Sequence, residues 1–222
     1  MMITAVIISA LLFLIYASYN INSNVYMRVF CKKHTRKKVV AITFDDGPAG
    51  LETARVLAVL KEYNIAACFF CIGNKIEGNE ALLQQMVSEG HLLGNHSYTH
   101  STLFPLYNLH KMKEDLLACQ REIERASSQK TNLFRPPFGV TNPTIAKAVK
   151  QLGYIPIGWN IRTLDTLQHS PEKIVRYVQR KLRPGSVILL HDRMPQSNLL
   201  LKQIIELIIK EGYSIVRLDG LI

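Results

Sequence analysis

Between residues 39 and 218, short apolar runs alternate with longer segments of helical periodicity. No other feature limits the possible folds as much. Seven runs read as strands: 39–42, 67–72, 91–94, 133–134, 154–159, 186–190 and 214–218. Six amphipathic segments separate them: 51–63, 79–89, 106–127, 142–152, 170–182 and 197–210. Gly90, Gly153 and Gly212 stand where three of those helices should stop, and Ser170-Pro171 is a helix start. Parallel strands need a crossover long enough to hold a helix, so alternation of this kind points to βα units around a parallel sheet. At 222 residues the chain suits one sizeable core, and no 20–50-residue repeat or low-complexity tract interrupts it.

The chemistry-bearing residues fall just after the strands. The first run ends in Thr43-Phe44-Asp45-Asp46-Gly47-Pro48. Adjacent carboxylates raise each other's pKa, and a cation relieves that cost. An isolated Asp-Asp-Gly is ordinarily a solvated turn, but His96-Ser97-Tyr98-Thr99-His100 follows the third run. Two histidines at i and i+4 share one face if that segment is helical. Two imidazoles and one carboxylate leave a metal position open to water, as catalytic zinc sites require.

These segments resemble the first two motifs of the polysaccharide deacetylase (NodB-homology) family of carbohydrate esterases. Further matches follow in the family's order: Arg135-Pro136-Pro137-Phe138-Gly139, Asp165 within Arg162-Thr163-Leu164-Asp165, and Leu189-Leu190-His191. The resemblance runs from about Val39 to Leu218 and implies a distorted, incomplete (β/α) barrel of about seven parallel strands, with a doubly wound open sheet as the alternative. It implies Asp46, His96 and His100 as ligands of one divalent metal, zinc being the best match to the donor set. Asp45 would be the catalytic base, Arg135 its partner, His191 the general acid and Asp165 a further catalytic residue. The Phe138 backbone N–H would hold the oxyanion, where the family usually has tyrosine. Pro137, Leu189 and Trp159 are candidate substrate contacts, Trp159 as rim packing more than as a sugar platform. In its fourth motif the chain departs from the family. Arg162 stands at a typically acidic position and Thr166 at a typically aromatic one.

The net charge of +10 suggests nucleic acid until its location is considered. Arg28, Lys32, Lys33, Arg36, Lys37 and Lys38 precede Val39 with no acidic residue among them, and the remaining 21 basic against 17 acidic residues leave only +4. That is a solvated surface, not a duplex-binding face. Residues 3–19 form a 17-residue run without charge, at the short end of a membrane span. No basic residue precedes that run and no clear cleavage site follows it, which favours an uncleaved anchor over a signal peptide. The expected organisation is an anchor at 1–22, a basic juxtamembrane segment at 23–38 and the deacetylase domain at 39–222. The basic cluster would keep the domain inside by the positive-inside rule. The family's work on envelope glycans places it outside, which is the orientation adopted. Cys68 and Cys71 lie three apart on an apolar strand and point to opposite faces, so they read as buried thiols; Cys31 and Cys119 have no evident partner. His34, His91, His110 and His169 read as surface or packing residues.

The expected function is therefore metal-dependent removal of N-acetyl groups from an amino-sugar polymer of the cell envelope, peptidoglycan or a chitin-like glycan. Two alternatives remain: deacylation or deformylation of a lipid-linked amino sugar, and a glycan-binding protein with a decayed site.

Overall fold

The computed structural model describes residues 2–167 and 170–222, so the reading of His169 lies outside the described residues. The strands are β1 (Val39–Asp45), β2 (Cys68–Cys71), β3 (Leu92–Asn95), β4 (Leu133–Phe134), β5 (Ile155–Pro156), β6 (Ile161–Arg162), β7 (Ser186–His191) and β8 (Ser214–Ile215). The helices are α1 (Met2–Tyr19), α2 (Leu51–Glu62), α3 (Glu80–Ser88), α4 (Leu109–Ser127), α5 (Pro143–Leu152), α6 (Pro171–Lys181) and α7 (Ser197–Lys210). The strand order is β5-β4-β3-β2-β1-β7-β6 with β8 beside the start of β1, and every pair is parallel.

That order excludes an open sheet. β5 and β6 are the two edges, yet only residues 157–160 separate them. Seven strands laid flat would hold their edges roughly 29 Å apart. Five links of chain span at most roughly 18 Å. The sheet must curl until its edges approach, giving an incomplete (β/α) barrel. The single strand expected at 154–159 is therefore two strands on opposite edges, and Pro156 sits on an edge strand, where proline is tolerated.

The N-terminal segment fills the seam between those edges. Phe30 bridges Ile157 and Lys32 bridges Ser186. The Gly158 N–H donates to the Phe30 carbonyl at 2.9 Å and the Lys33 N–H to the Gly185 carbonyl at 2.9 Å. Ile21, Val29 and Cys31 are buried against Trp159 and Leu189. Burial of side chains of this kind contributes ~1.5–3 kcal/mol each. The basic segment 23–38 is thus not a free tether; part of it belongs to the barrel.

β1 shows how one strand serves two cores. Val40, Ile42 and Phe44 face outward beneath the helices, packed with Val56, Leu60, Leu201 and Ile205. Ala41 faces inward with Phe70 and Val187, and the alternation carries Thr43 and Asp45 to the same inner side. Both faces are covered, which explains why the strand reads as a continuous apolar run. α4 begins at Leu109, later than its periodicity suggested, because the Asn108 side chain accepts the Lys111 N–H and caps it. Asn142 caps α5 in the same way, with Pro143 in its first turn.

α1 is long and apolar enough to cross a membrane, and of its residues only Ala17 is buried. Its last turn is tied down at Thr141. The Thr141 hydroxyl donates to the Ala17 carbonyl at 3.1 Å, and its N–H donates to the Ser18 carbonyl at 2.9 Å. All four cysteines are buried free thiols, as expected.

Gly47 marks one of the tightest approaches in the fold. A Cβ there would fall on the carboxylate of Asp192, which is fully buried and held by the Thr53 hydroxyl. Gly47→Ala is expected to destabilise the fold by about 1–3 kcal/mol, the usual cost of overpacking. For a domain of this size that lowers Tm by roughly 2–4 °C per kcal/mol. Thermal unfolding of wild type and variant in the same detergent measures it, and equal Tm values would mean that Asp192 moves aside.

Candidate active site

Strand register brings the candidate residues together. Asp45 on β1 pairs with His191 on β7 and with Phe70 on β2, so those side chains lie at one level of the sheet. Asn95 on β3 pairs with Phe134 on β4, which sets His96 and Arg135 side by side just beyond. A cavity of about 470 Å³ opens at these strand ends, lined among others by Asp45, Asp46, His96, His100, Phe138, Trp159, Leu189 and His191. Active sites of βα barrels occupy this rim. Pro137 does not line the cavity. It is buried at the start of the turn that presents Phe138.

Arg135 is fully buried inside the barrel. Nη1 donates to Asp45 Oδ1 at 2.7 Å and to Thr43 Oγ1 at 2.8 Å. Nη2 reaches the Gly158 carbonyl at 2.8 Å and Nε the Ile157 carbonyl at 3.2 Å. The Phe70 ring lies beneath the guanidinium at 4.1 Å. Only the second oxygen of Asp45 remains, with Oδ2 3.8 Å from His96 Nε2.

Asp46, His96 and His100 hold their donor atoms within 4.8 Å of one another. The His96 Nδ1–H donates to the Arg135 carbonyl at 2.8 Å; a carbonyl can only accept, so Nε2 keeps its lone pair for the cavity. Asp46 Oδ1 lies 3.6 Å from His96 Nε2 and 3.4 Å from His100 Nε2. Tetrahedral ligands ~2.1 Å from a zinc ion stand about 3.4 Å apart, so the set fits a divalent ion. Burial, with the charge of His96 next, lowers the His100 pKa to about 4 and keeps its ring neutral near pH 7, the form that ligates. Burial acts against the Asp46 carboxylate, but His96, Arg193 and His100 outweigh it and hold its pKa well below the ordinary range.

The histidine segment is not helical. Ser97 and His100 have φ of 67° and 46°, and the loop between them is tied to Asp115 on α4. Asp115 accepts the Tyr98 N–H at 2.7 Å and the Thr99 hydroxyl at 2.7 Å. The two imidazoles converge because the loop is pinned, not because they are one helical turn apart.

His191 is oriented by Asp165. Nδ1 lies 2.8 Å from Asp165 Oδ1, and the His191 N–H donates to Asp165 Oδ2 at 2.7 Å. Burial alone would lower the His191 pKa; the hydrogen bond and charge of Asp165, then the charges of Asp45 and Asp46, raise it instead. Asp192, adjacent to His191 in sequence, turns to Thr53 instead, and burial pushes its carboxyl up to about 6.

Two arginines border the cavity. Arg162, at the position where the family typically has an acidic residue, lies on the cavity wall 6.0 Å from the Trp159 ring centre. Among the described residues it pairs with no carboxylate. Arg193, which drew no attention in the sequence, donates from Nε to Asp46 Oδ2 at 2.8 Å and so leaves Oδ1 facing the two imidazoles. Its place two residues after His191 was the available signal. Lys75 likewise donates to the Asp46 carbonyl at 2.9 Å.

The family model described as polysaccharide deacetylase matches residues 32–157. A peptidoglycan-N-acetylglucosamine deacetylase of Bacillus cereus is 33% identical over 84% of this chain and 89% of its own. The structure of PdaA, a family 4 carbohydrate esterase of Bacillus subtilis, superposes with a TM-score of 0.79 at 28% identity, covering 87% of this chain and 84% of that one. A family 4 pseudoenzyme from Bacillus anthracis superposes with a TM-score of 0.81 at 26% identity, covering 87% and 68%.

His100→Ala leaves two protein ligands, too few for a tight site. Metal analysis after dialysis is expected to find about one divalent ion per wild-type chain and far less in the variant. Equal stoichiometry in both would remove His100 from the ligand set.

Proposed function

The chain belongs to the polysaccharide deacetylase family, and from that premise we propose that it hydrolyses the N-acetyl amide of amino sugars in an envelope glycan, peptidoglycan or a chitin-like polymer. The observation that carries this reading is the division of labour between two adjacent carboxylates. Asp45 is held by Arg135 with one oxygen free, while Asp46 faces two imidazoles. A divalent ion at Asp46, His96 and His100, zinc in this reading, supplies Lewis acidity that acidifies water and polarises the substrate carbonyl.

Asp45 Oδ2 takes the proton of the attacking water, and the Arg135 fork prevents the carboxylate from rotating away. A C–O bond forms at the acetamide carbon, and the Phe138 N–H would donate to the developing oxyanion. The C–N bond then breaks as His191 Nε2 gives its proton to the departing nitrogen, releasing acetate and a free amine. Asp165 keeps the imidazolium charged and its Nε2 aimed at the cavity.

We read α1 as an anchor that stays attached. The contacts of Thr141 with Ala17 and Ser18, and the burial of Ile21, make the residues following the helix part of the barrel. The catalytic domain then stands outside the cytoplasm, where such glycans are.

Acetate release from peptidoglycan fragments and chitin oligomers tests the function. A metal-loaded enzyme that releases none would place the chain with the pseudoenzymes of its fold. Asp45→Asn is expected to keep its metal and lose ~10²–10⁴-fold in turnover, the usual contribution of a general base. Loss of metal in Asp45→Asn and retention in Asp46→Asn would reverse the two roles.

A pH profile tests the acid. His191 must be protonated, so activity falls as pH rises through its pKa, and Asp165 raises that pKa. Asp165→Asn should therefore move the basic limb of kcat/KM to lower pH. An unmoved limb would assign the acid to another group.

A further inference from the structure

The cavity carries more positive charge than the chemistry uses. Its carboxylates are Asp45 and Asp46, and its cations beyond the histidines are Lys75, Arg162 and Arg193. Asp45 is paired with Arg135 and Asp46 with Arg193, while Lys75 is held on the Asp46 carbonyl. Among the described residues Arg162 has no such engagement. It is exposed at the end of β6, with the Trp159 ring centre 6.0 Å away. Asp165, three residues on, has both oxygens engaged by His191 and Thr163. Gln168 and His169, which lie outside the described residues, are not acidic. A divalent ion at the metal site would make the surroundings more positive still.

We propose that Arg162 forms an anion subsite, so that the preferred substrate is an acetylated amino sugar bearing a carboxylate or phosphate. The inference rests on the deacetylase reading. A guanidinium presents a planar fork matched to two oxygens of a carboxylate or phosphate. Arg162 lines the cavity with its Cζ 6.0 Å from the centre of the Trp159 ring. A neutral sugar closing over it would desolvate the guanidinium without supplying a counter-charge, which is costly. An anionic substituent turns that cost into a charge-assisted hydrogen bond. Two sources share the chemistry: the lactyl carboxylate of a muramic residue, and a phosphate on the sugar.

The test uses the full chain in detergent, metal-loaded, with matched acetylated substrates. These are neutral chitin oligomers, glycan strands with free lactyl carboxylates, the same strands with those carboxylates reduced to alcohols, and oligomers carrying a sugar phosphate. The wild type should favour an anionic substrate over its neutral counterpart by about 10- to 100-fold in kcat/KM, the range of hydrogen bonds to charged groups. The favoured anion identifies the source. In Arg162→Gln that ratio should fall to near one, mainly through KM, and Arg162→Lys should restore part of it. A variant that loses equally on neutral and anionic substrates, or a wild type without preference, would overturn the proposal. If the wild type releases no acetate from any substrate, the deacetylase reading fails separately. The subsite is then read from binding, by quenching of Trp159, the chain's one tryptophan. N-acetylmuramic acid or N-acetylglucosamine 6-phosphate should then bind more tightly than N-acetylglucosamine, and Arg162→Gln should erase the difference; equal affinities would overturn it.

Discussion

A single buried guanidinium organises this molecule. Arg135 lies inside the barrel without solvent, where an unpaired charge would cost several kcal/mol. Its partners come from β1 and from the crossing between β5 and β6, and its own backbone continues β4. The contacts that keep the charge tolerable therefore also hold the edges of the curled sheet in register. Through its carbonyl the same residue sets the tautomer of His96. The placing of Asp45, the tautomer of His96 and the closure of the barrel depend on one side chain, and a change there would disturb all three.

Strain gathers at the rim that Arg135 supports. Among the described residues nine non-glycine positions have positive φ, and Asp46, Ser97, His100, Phe138 and Leu164 are five of them. Each costs of order 1–3 kcal/mol, affordable only where surrounding bonds over-determine the backbone. Those bonds are present: Asp115 beneath the His96–His100 loop, Asn95 Oδ1 on the Ser97 N–H, and Asp165 against β7. The distorted turns aim side chains into the cavity that regular strands or helices would direct elsewhere.

The N-terminal segment connects the apolar helix to this same region. α1 ends against Thr141, Ile21 packs behind Trp159, and Phe30 and Lys32 bridge the barrel seam. Gly158 is required there, because a Cβ would collide with Cys31 and Val29. The wall of the cavity is thus built partly by the residues that lead out of the helix. Where α1 sits constrains how the cavity is presented, and the two elements belong to one structural unit.

The sequence by itself determined the parts that depend on local chemistry. Apolar runs separated by amphipathic stretches specify parallel βα units, and motif residues at strand ends specify a rim site. Asp45, Asp46, His96 and His100 could be picked out because paired carboxylates and closely spaced histidines carry their chemistry, whereas Arg135 and His191 were legible through the resemblance of their motifs. Register, not proximity in sequence, decided the pairing of His191: it chose Asp165 and sent the adjacent Asp192 to Thr53. Only the tertiary structure decided how the edges meet, because closure follows from strand order and from the short reach of residues 157–160. It also decided that the histidine loop is non-helical, since Asp115 stabilises the loop from a distant helix. Arg162 and Arg193 have the same charge and similar exposed settings in sequence, yet Arg193 holds the Asp46 carboxylate and Arg162 lines the open cavity. A side chain's electrostatic role depends on which carboxylates the fold brings within a few ångströms, and those are set by contacts between residues far apart in the chain.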